Sequence, residues 1–210
     1  MRNCFICLMA LFIYVLSANT MIAYGQKKNG EPASVEIPGE ALMSKLAGTL
    51  VAPEENRILS AIKGNWYYDL KYWTSKDAEP QLSSGLMTNE MIFDNRFLSS
   101  KTNVGINVEG QTVLYKGEYI IGYDPAKKAF ASVLWDNLHA GLTVGEGTYD
   151  KKNKTLTETG FFTHPLTRKL TPYKSVLELG DDQTHTRTIF IKDGSGAEFK
   201  AMEIIFQRPS

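Results

Sequence analysis

The stretch from Tyr115 to Asp150 reads YKGEYIIGYDPAKKAFASVLWDNLHAGLTVGEGTYD. It contains two turns of the same chemistry, Tyr123-Asp124-Pro125-Ala126-Lys127-Lys128 and Tyr149-Asp150-Lys151-Lys152-Asn153-Lys154. In each, an aspartate whose short side chain can hydrogen-bond backbone two residues on follows a strand-favouring tyrosine. Asp124 and Asp150 are therefore read as structural turn residues. The flanking segments alternate with period two: Tyr115, Gly117, Tyr119 and Tyr123 share a face opposite Lys116 and Glu118. Strands are expected at 112–123, 129–137, 141–149 and 154–161. The connections are tight and no helix intervenes, so consecutive strands pair antiparallel.

Outward from this stretch the same grammar continues. Trp66, Tyr68, Leu70 and Tyr72 alternate with Tyr67, Asp69, Lys71 and Trp73, a half-buried strand with the first set inward. Further strands are expected at about 86–93, 96–104, 173–180, 184–192 and 197–207. Asp94-Asn95, Glu109-Gly110, Asp181-Asp182 and Asp193-Gly194-Ser195-Gly196 punctuate them. A meander of this length closes on itself because closure removes exposed edges. The expected fold is all-β, an antiparallel up-and-down closed barrel of about ten strands.

Ahead of the barrel, Pro53, Glu54 and Glu55 suit a helix start and Gly64 suits its stop, which predicts a helix over 53–63 near one mouth. Ile58, Leu59 and Ile62 form a narrow apolar stripe on it, so it caps rather than builds a core. Residues 26–52 read as a flexible or weakly helical lead, with Glu40 to Leu50 its helical part. Residues 1–25 carry Arg2, an apolar run from Cys4 to Leu16, and Ala23-Tyr24-Gly25 ahead of Gln26. That is the layout of a cleaved secretory signal, and the run is short of the roughly 20 residues a spanning helix needs. An uncleaved anchor is the alternative. The expected address is exported, periplasmic or secreted.

Both cysteines, Cys4 and Cys7, lie in that segment, so the exported domain takes nothing from disulfides and relies on its core. Residues 53–210 form a single barrel domain. After removal of Arg2, 22 basic residues face 23 acidic ones, with no basic stripe. Nucleic acid and anionic membrane are therefore not expected as main partners, and the mature chain is not expected to insert stably in a membrane.

Gly64-Asn65-Trp66 after a short helix resembles the opening of the first strand of lipocalin-like barrels. That resemblance implies that Arg208, on the face of Met202, Ile204 and Phe206, packs over Trp66. The span from Gly64 to about Arg208 also resembles the bacterial family known as domain of unknown function 1579. Phe93-Asp94-Asn95-Arg96-Phe97, Gly122-Tyr123-Asp124, Asp136-Asn137, Gly145-x-Gly147-x-Tyr149-Asp150 and Met202-Glu203-Ile204 carry it. One departure is that Leu134-Trp135-Asp136 stands where the family tends to Trp-x-Asp, which turns Trp135 to the opposite face. The family carries no settled activity, so the resemblance implies fold and compartment alone.

Candidate chemistry centres on Asp136. Alternation with Phe130, Ser132 and Leu134 points it inward, where a carboxylate is either a general base or ligand anchor, or caps the Leu138–Gly141 turn. His139 is its possible partner or a loop histidine. Tyr115, Tyr119 and Tyr123 either shape a pocket or form ordinary core. No phosphate loop, paired-histidine zinc motif or Gly-x-Ser-x-Gly elbow occurs, so no metal and no cofactor is expected. Some lipocalin-like barrels hold haem through one histidine, and His139, His164 and His185 leave that open. The leading reading is a barrel binding a small hydrophobic or amphipathic ligand. The alternatives are an enzyme using Asp136 with His139 or Glu118 as acid and base, and a filled barrel acting through its surface.

Overall fold

The computed structural model describes residues 51–108, 111–139, 141–164 and 167–209. The signal-like segment 1–25, and the lead up to residue 50 with its weakly helical Glu40 to Leu50, fall outside them. Ten strands follow in chain order: β1 (Gly64–Tyr72), β2 (Gln81–Ile92), β3 (Phe97–Val108), β4 (Gln111–Asp124), β5 (Ala129–Asp136), β6 (Thr143–Asp150), β7 (Thr155–Thr163), β8 (Leu170–Leu179), β9 (Thr184–Lys192) and β10 (Glu198–Gln207). Each pairs antiparallel with the next, and β10 returns to β1, closing the barrel. β2 begins five residues ahead of the expected start at 86 and β3 runs to 108 rather than 104. Ser83, Ser84 and Gly85 have little strand preference of their own, and pairing with β1 imposes the conformation.

The two Tyr-Asp turns are built alike. Asp124 accepts from the backbone N–H of Ala126 and Lys127, and Asp150 from those of Lys152 and Asn153. Each closes with a left-handed lysine, Lys128 or Lys154, at φ 53°.

The helix is shorter than its sequence pattern. A 3₁₀ turn, Glu54–Asn56, continues into α1, Arg57–Ser60, and Pro53 is the N-cap rather than the first helical residue. Tertiary contacts decide its extent. Asn56 donates to the Arg96 carbonyl at 2.8 Å and accepts from Tyr123 N–H at 2.9 Å, which pins the start of the helix to the β2–β3 turn and the end of β4. At its other end the free carbonyls are claimed by the barrel: Trp66 Nε1 and Asn89 Nδ2 both donate to Ile62, and Arg208 donates to Lys63. Leu59, 1 % exposed, and Ile62 are thereby driven into the barrel end.

That end is filled. Trp66, Leu98, Ile121, Phe130, Leu156, Leu177 and Phe206 form a continuous buried core beneath the helix. The opposite half differs. Inward-facing Leu70, Tyr115, Leu134, Phe162, Tyr173, Ile189, Ile191, Met202 and Ile204 all keep part of their surface accessible. Most of the fully buried core thus lies beneath the helix, and the inner wall toward the other mouth is partly accessible.

Candidate functional site

The middle of the barrel begins with a feature of the inner wall. Ser132, Gly145, Gly160 and Tyr173 are consecutive partners across β5, β6, β7 and β8. Two adjacent glycines remove the side chains from that row, and the Tyr173 ring lies down in the gap. A Cβ on Gly160 would stand 2.9 Å from Tyr173 Cε1, and one on Gly145 would stand 2.4 Å from the Tyr173 hydroxyl. This close approach is what the glycines are for, in line with the role expected of a strand-interior glycine.

The hydroxyl so delivered meets Glu158. This glutamate alternates inward with Leu156 and Gly160 on β7 and is 4 % exposed. Its two oxygens accept from Tyr119 at 2.7 Å and Tyr173 at 2.5 Å. Arg187, inward on β9, lies with its guanidinium carbon 4.8 Å from the centre of the Tyr119 ring. Burial opposes the Arg187 charge, but Tyr119, Glu158 and Tyr173 outweigh it and hold the guanidinium firmly cationic. Burial, reinforced by the Glu158 carboxylate, pushes Tyr119 and Tyr173 well above the ordinary phenol range. Both therefore remain neutral donors. A buried carboxylate and guanidinium with tyrosines between them stabilise a hydrophobic interior poorly compared with apolar packing, which makes the cluster a candidate site.

The residues singled out in the sequence do not converge on one point. Tyr119 belongs to this cluster. Tyr115 lies nearer the mouth, its hydroxyl folded over Gly117, which pairs with Asp136. Tyr123 packs edge-on to Phe130 at the helix-plugged end. The Asp136 side chain is inward and only 1 % exposed, yet its bonds come from its own turn: Leu138 N–H and His139 N–H donate to Oδ1, and His139 Nδ1 stands 2.6 Å from Oδ2. Tyrosine hydroxyls are not its hydrogen-bonding partners, because the turn residues are closer in sequence and already oriented. Glu118 faces outward and pairs with Lys101, which removes it as an acid/base partner for Asp136. Trp135 is on the outer wall. Arg208 stacks over Trp66 at 4.2 Å. Among the described residues no cluster of His, Cys, Asp and Glu is placed to hold a metal.

Sequence reading missed Glu158, Tyr173 and Arg187. The signal available was a charged residue on the apolar face of a strand: Glu158 between Leu156 and Phe162, and Arg187 between His185 and Ile189.

His185 supplies a pH dependence. It is 4 % exposed, stacked on Phe206 at 4.3 Å and edge-on to Trp66 at 4.3 Å, and its Nδ1 has no hydrogen-bond partner. Burial first, then the charges of Arg187 and Arg208, push its pKa down from 6.5 to about 3. Below pH 6.5 the unfolded chain takes up a proton that the folded one refuses, so stability falls as pH falls through this window, by up to about 1.4 kcal/mol per unit. Denaturant unfolding at pH 7 and pH 5, followed by tryptophan fluorescence, checks this. His185→Leu is expected to flatten the slope between those pH values, and an unchanged slope would exclude His185 as its source.

A closed antiparallel barrel of ten strands, covered by a short helix at one end and with a buried polar cluster inside, has the fold of a lipocalin-like barrel. The chain belongs to the family described as protein of unknown function (DUF1579), which it matches over residues 52–208. Among solved structures it is similar to Rv2717c from M. tuberculosis, with a TM-score of 0.57 at 10 % identity, covering 76 % of this chain and 99 % of that one. It is also similar to the S-type phycobiliprotein lyase CPES from Guillardia theta, with a TM-score of 0.51 at 12 % identity, covering 78 % and 97 %. At these identities the likeness is one of fold. No curated protein sequence matches the chain. No helix among the described residues is long and apolar enough to cross a membrane.

Proposed function

We propose that this protein is an exported binding protein that holds a small amphipathic molecule in the half of its barrel away from the helix. The observation that carries the reading is a difference along the barrel: most of the fully buried core gathers beneath the helix, while inward residues toward the other mouth keep part of their surface accessible. Ile189, Ile191, Met202 and Ile204 offer an apolar wall above a small set of polar groups, the composition of a ligand pocket. Residues 1–25 support export.

A neutral naphthylamine probe that brightens in apolar surroundings tests the pocket. It is expected to bind saturably at one site, and Ile189→Trp, which fills the lumen, is expected to weaken binding about tenfold or more while the unfolding transition is retained. Organic extracts of protein incubated with cell lysate should contain an enriched amphiphile by mass spectrometry. Absence of both probe binding and an extracted molecule would return the barrel to a role played by its surface.

Catalysis is a second reading, favoured by the pairing of buried Asp136 with His139 Nδ1, which leaves Nε2 as a possible proton acceptor at the mouth. Turnover of a chromogenic ester lost in His139→Asn would support it, and no turnover by the native protein would end it for that reaction class.

A further inference from the structure

We infer that Arg187 is the head-group site of the lumen and that the molecule it takes is a monocarboxylate with an apolar tail, an inference that rests on the binding reading above. Arg187 is an inward-facing cation, and its guanidinium stands over the Tyr119 ring. Glu158, the nearest opposite charge, has each oxygen committed to a tyrosine hydroxyl. The carboxylate is thus tied to the wall rather than to the guanidinium. A guanidinium carries five N–H donors in a planar fork that matches a carboxylate.

The surroundings narrow the class. Glu158 lies behind the two tyrosines, near enough for its charge to act on Arg187, so a second negative charge on the ligand head is disfavoured and a phosphate monoester dianion fits poorly. Tyr119 and Tyr173 both give their hydroxyl protons to Glu158, so Arg187 is the charged donor left to meet a ligand head at this level. Above them on the same strand stand Ile189 and Ile191, with Met202 and Ile204 on the neighbouring β10. β9 continues five residues past Arg187 before it ends at Lys192, about 16 Å of strand along which a tail can lie toward the mouth. The order of polar floor, apolar wall and mouth is that of a fatty-acid-like molecule bound head down.

Isothermal titration of the purified protein with dodecanoate, dodecanol and methyl dodecanoate tests this. The acid is expected to bind about tenfold tighter than the alcohol or ester. Arg187→Met is expected to erase that preference, bringing dodecanoate affinity down to that of the alcohol and ester, and Arg187→Lys, which keeps the charge but not the fork, to retain part of it. Equal affinity of the native protein for acid, alcohol and ester would overturn the head-group assignment and leave the pocket standing. So would a preference that survives in Arg187→Met. Failure of all three to bind, together with failure of the neutral probe, would overturn the pocket itself. The native protein's preference decides the matter even where a variant does not fold.

Discussion

Gly160→Ala is expected to destabilise the domain by about 3 kcal/mol, at the upper end of what an inserted methylene costs in a packed interior. The added Cβ would stand 2.0 Å from the Val144 carbonyl oxygen and 2.8 Å from Gly145 Cα, both backbone atoms of the neighbouring strand. Backbone in a closed barrel cannot swing aside as a side-chain end can. Either β6 and β7 separate, losing ladder hydrogen bonds, or Tyr173 leaves the wall and Glu158 loses one of its two donors. For a domain of this size the midpoint of thermal unfolding should fall by about 6–12 °C. Gly194→Ala is the matching control. Nothing stands within 4 Å of its added Cβ, and its midpoint is expected to stay within about 2 °C of the native value. Thermal circular dichroism of the two variants compares them directly. A Gly160→Ala protein as stable as the native one would mean that Tyr173 does not lie across the inner wall.

Trp66→Ala is expected to cost about 4 kcal/mol, the range of a fully buried aromatic removed from a core. Trp66 is 0 % exposed and ties three parts of the barrel end together. Its Nε1 donates to the Ile62 carbonyl at the end of the helix, its face carries the Arg208 guanidinium at 4.2 Å, and its edge meets His185. Arg208 in turn donates to Lys63 O at 2.9 Å and Asp182 O at 2.7 Å, so it links the helix to the β8–β9 turn. Arg208→Ala should therefore cost about 1–2 kcal/mol and shift Trp66 emission. Because the two residues touch, the double variant should lose less than the sum of the single losses. Urea unfolding of the single and double variants measures the coupling, and strict additivity would show that the stack contributes nothing.

Much of the architecture was legible in the chain because its causes are local. Alternation with period two is a property of a strand and its two faces, and an aspartate that bonds backbone two residues on makes its own turn. Those two signals sufficed for ten strands, their order, their closure and the shared face of Tyr115, Tyr119 and Tyr123. They also pointed Asp136 inward, and the structure agrees, but the same residue's turn claimed its carboxylate. The helix was overextended because its pattern continued to Gly64, whereas its length is set by Asn56 at one end and by Trp66, Asn89 and Arg208 at the other, all barrel partners distant in sequence.

The site escaped the sequence for the same reason. Glu158 and Arg187 could each be read as charged residues on an apolar face, but Tyr119 is 39 residues from Glu158 and Tyr173 is 15. Only closure of the barrel sets β4, β7, β8 and β9 around one space. Where the fully buried core gathers depends on where the helix docks, and local pattern does not encode it. What the sequence determined by itself was a meander of inward and outward faces, since adjacent residues impose that on each other through backbone geometry. What the tertiary structure decided was which inward polar groups share a low-dielectric floor, because their pairing is worth making only once several strands have excluded water together.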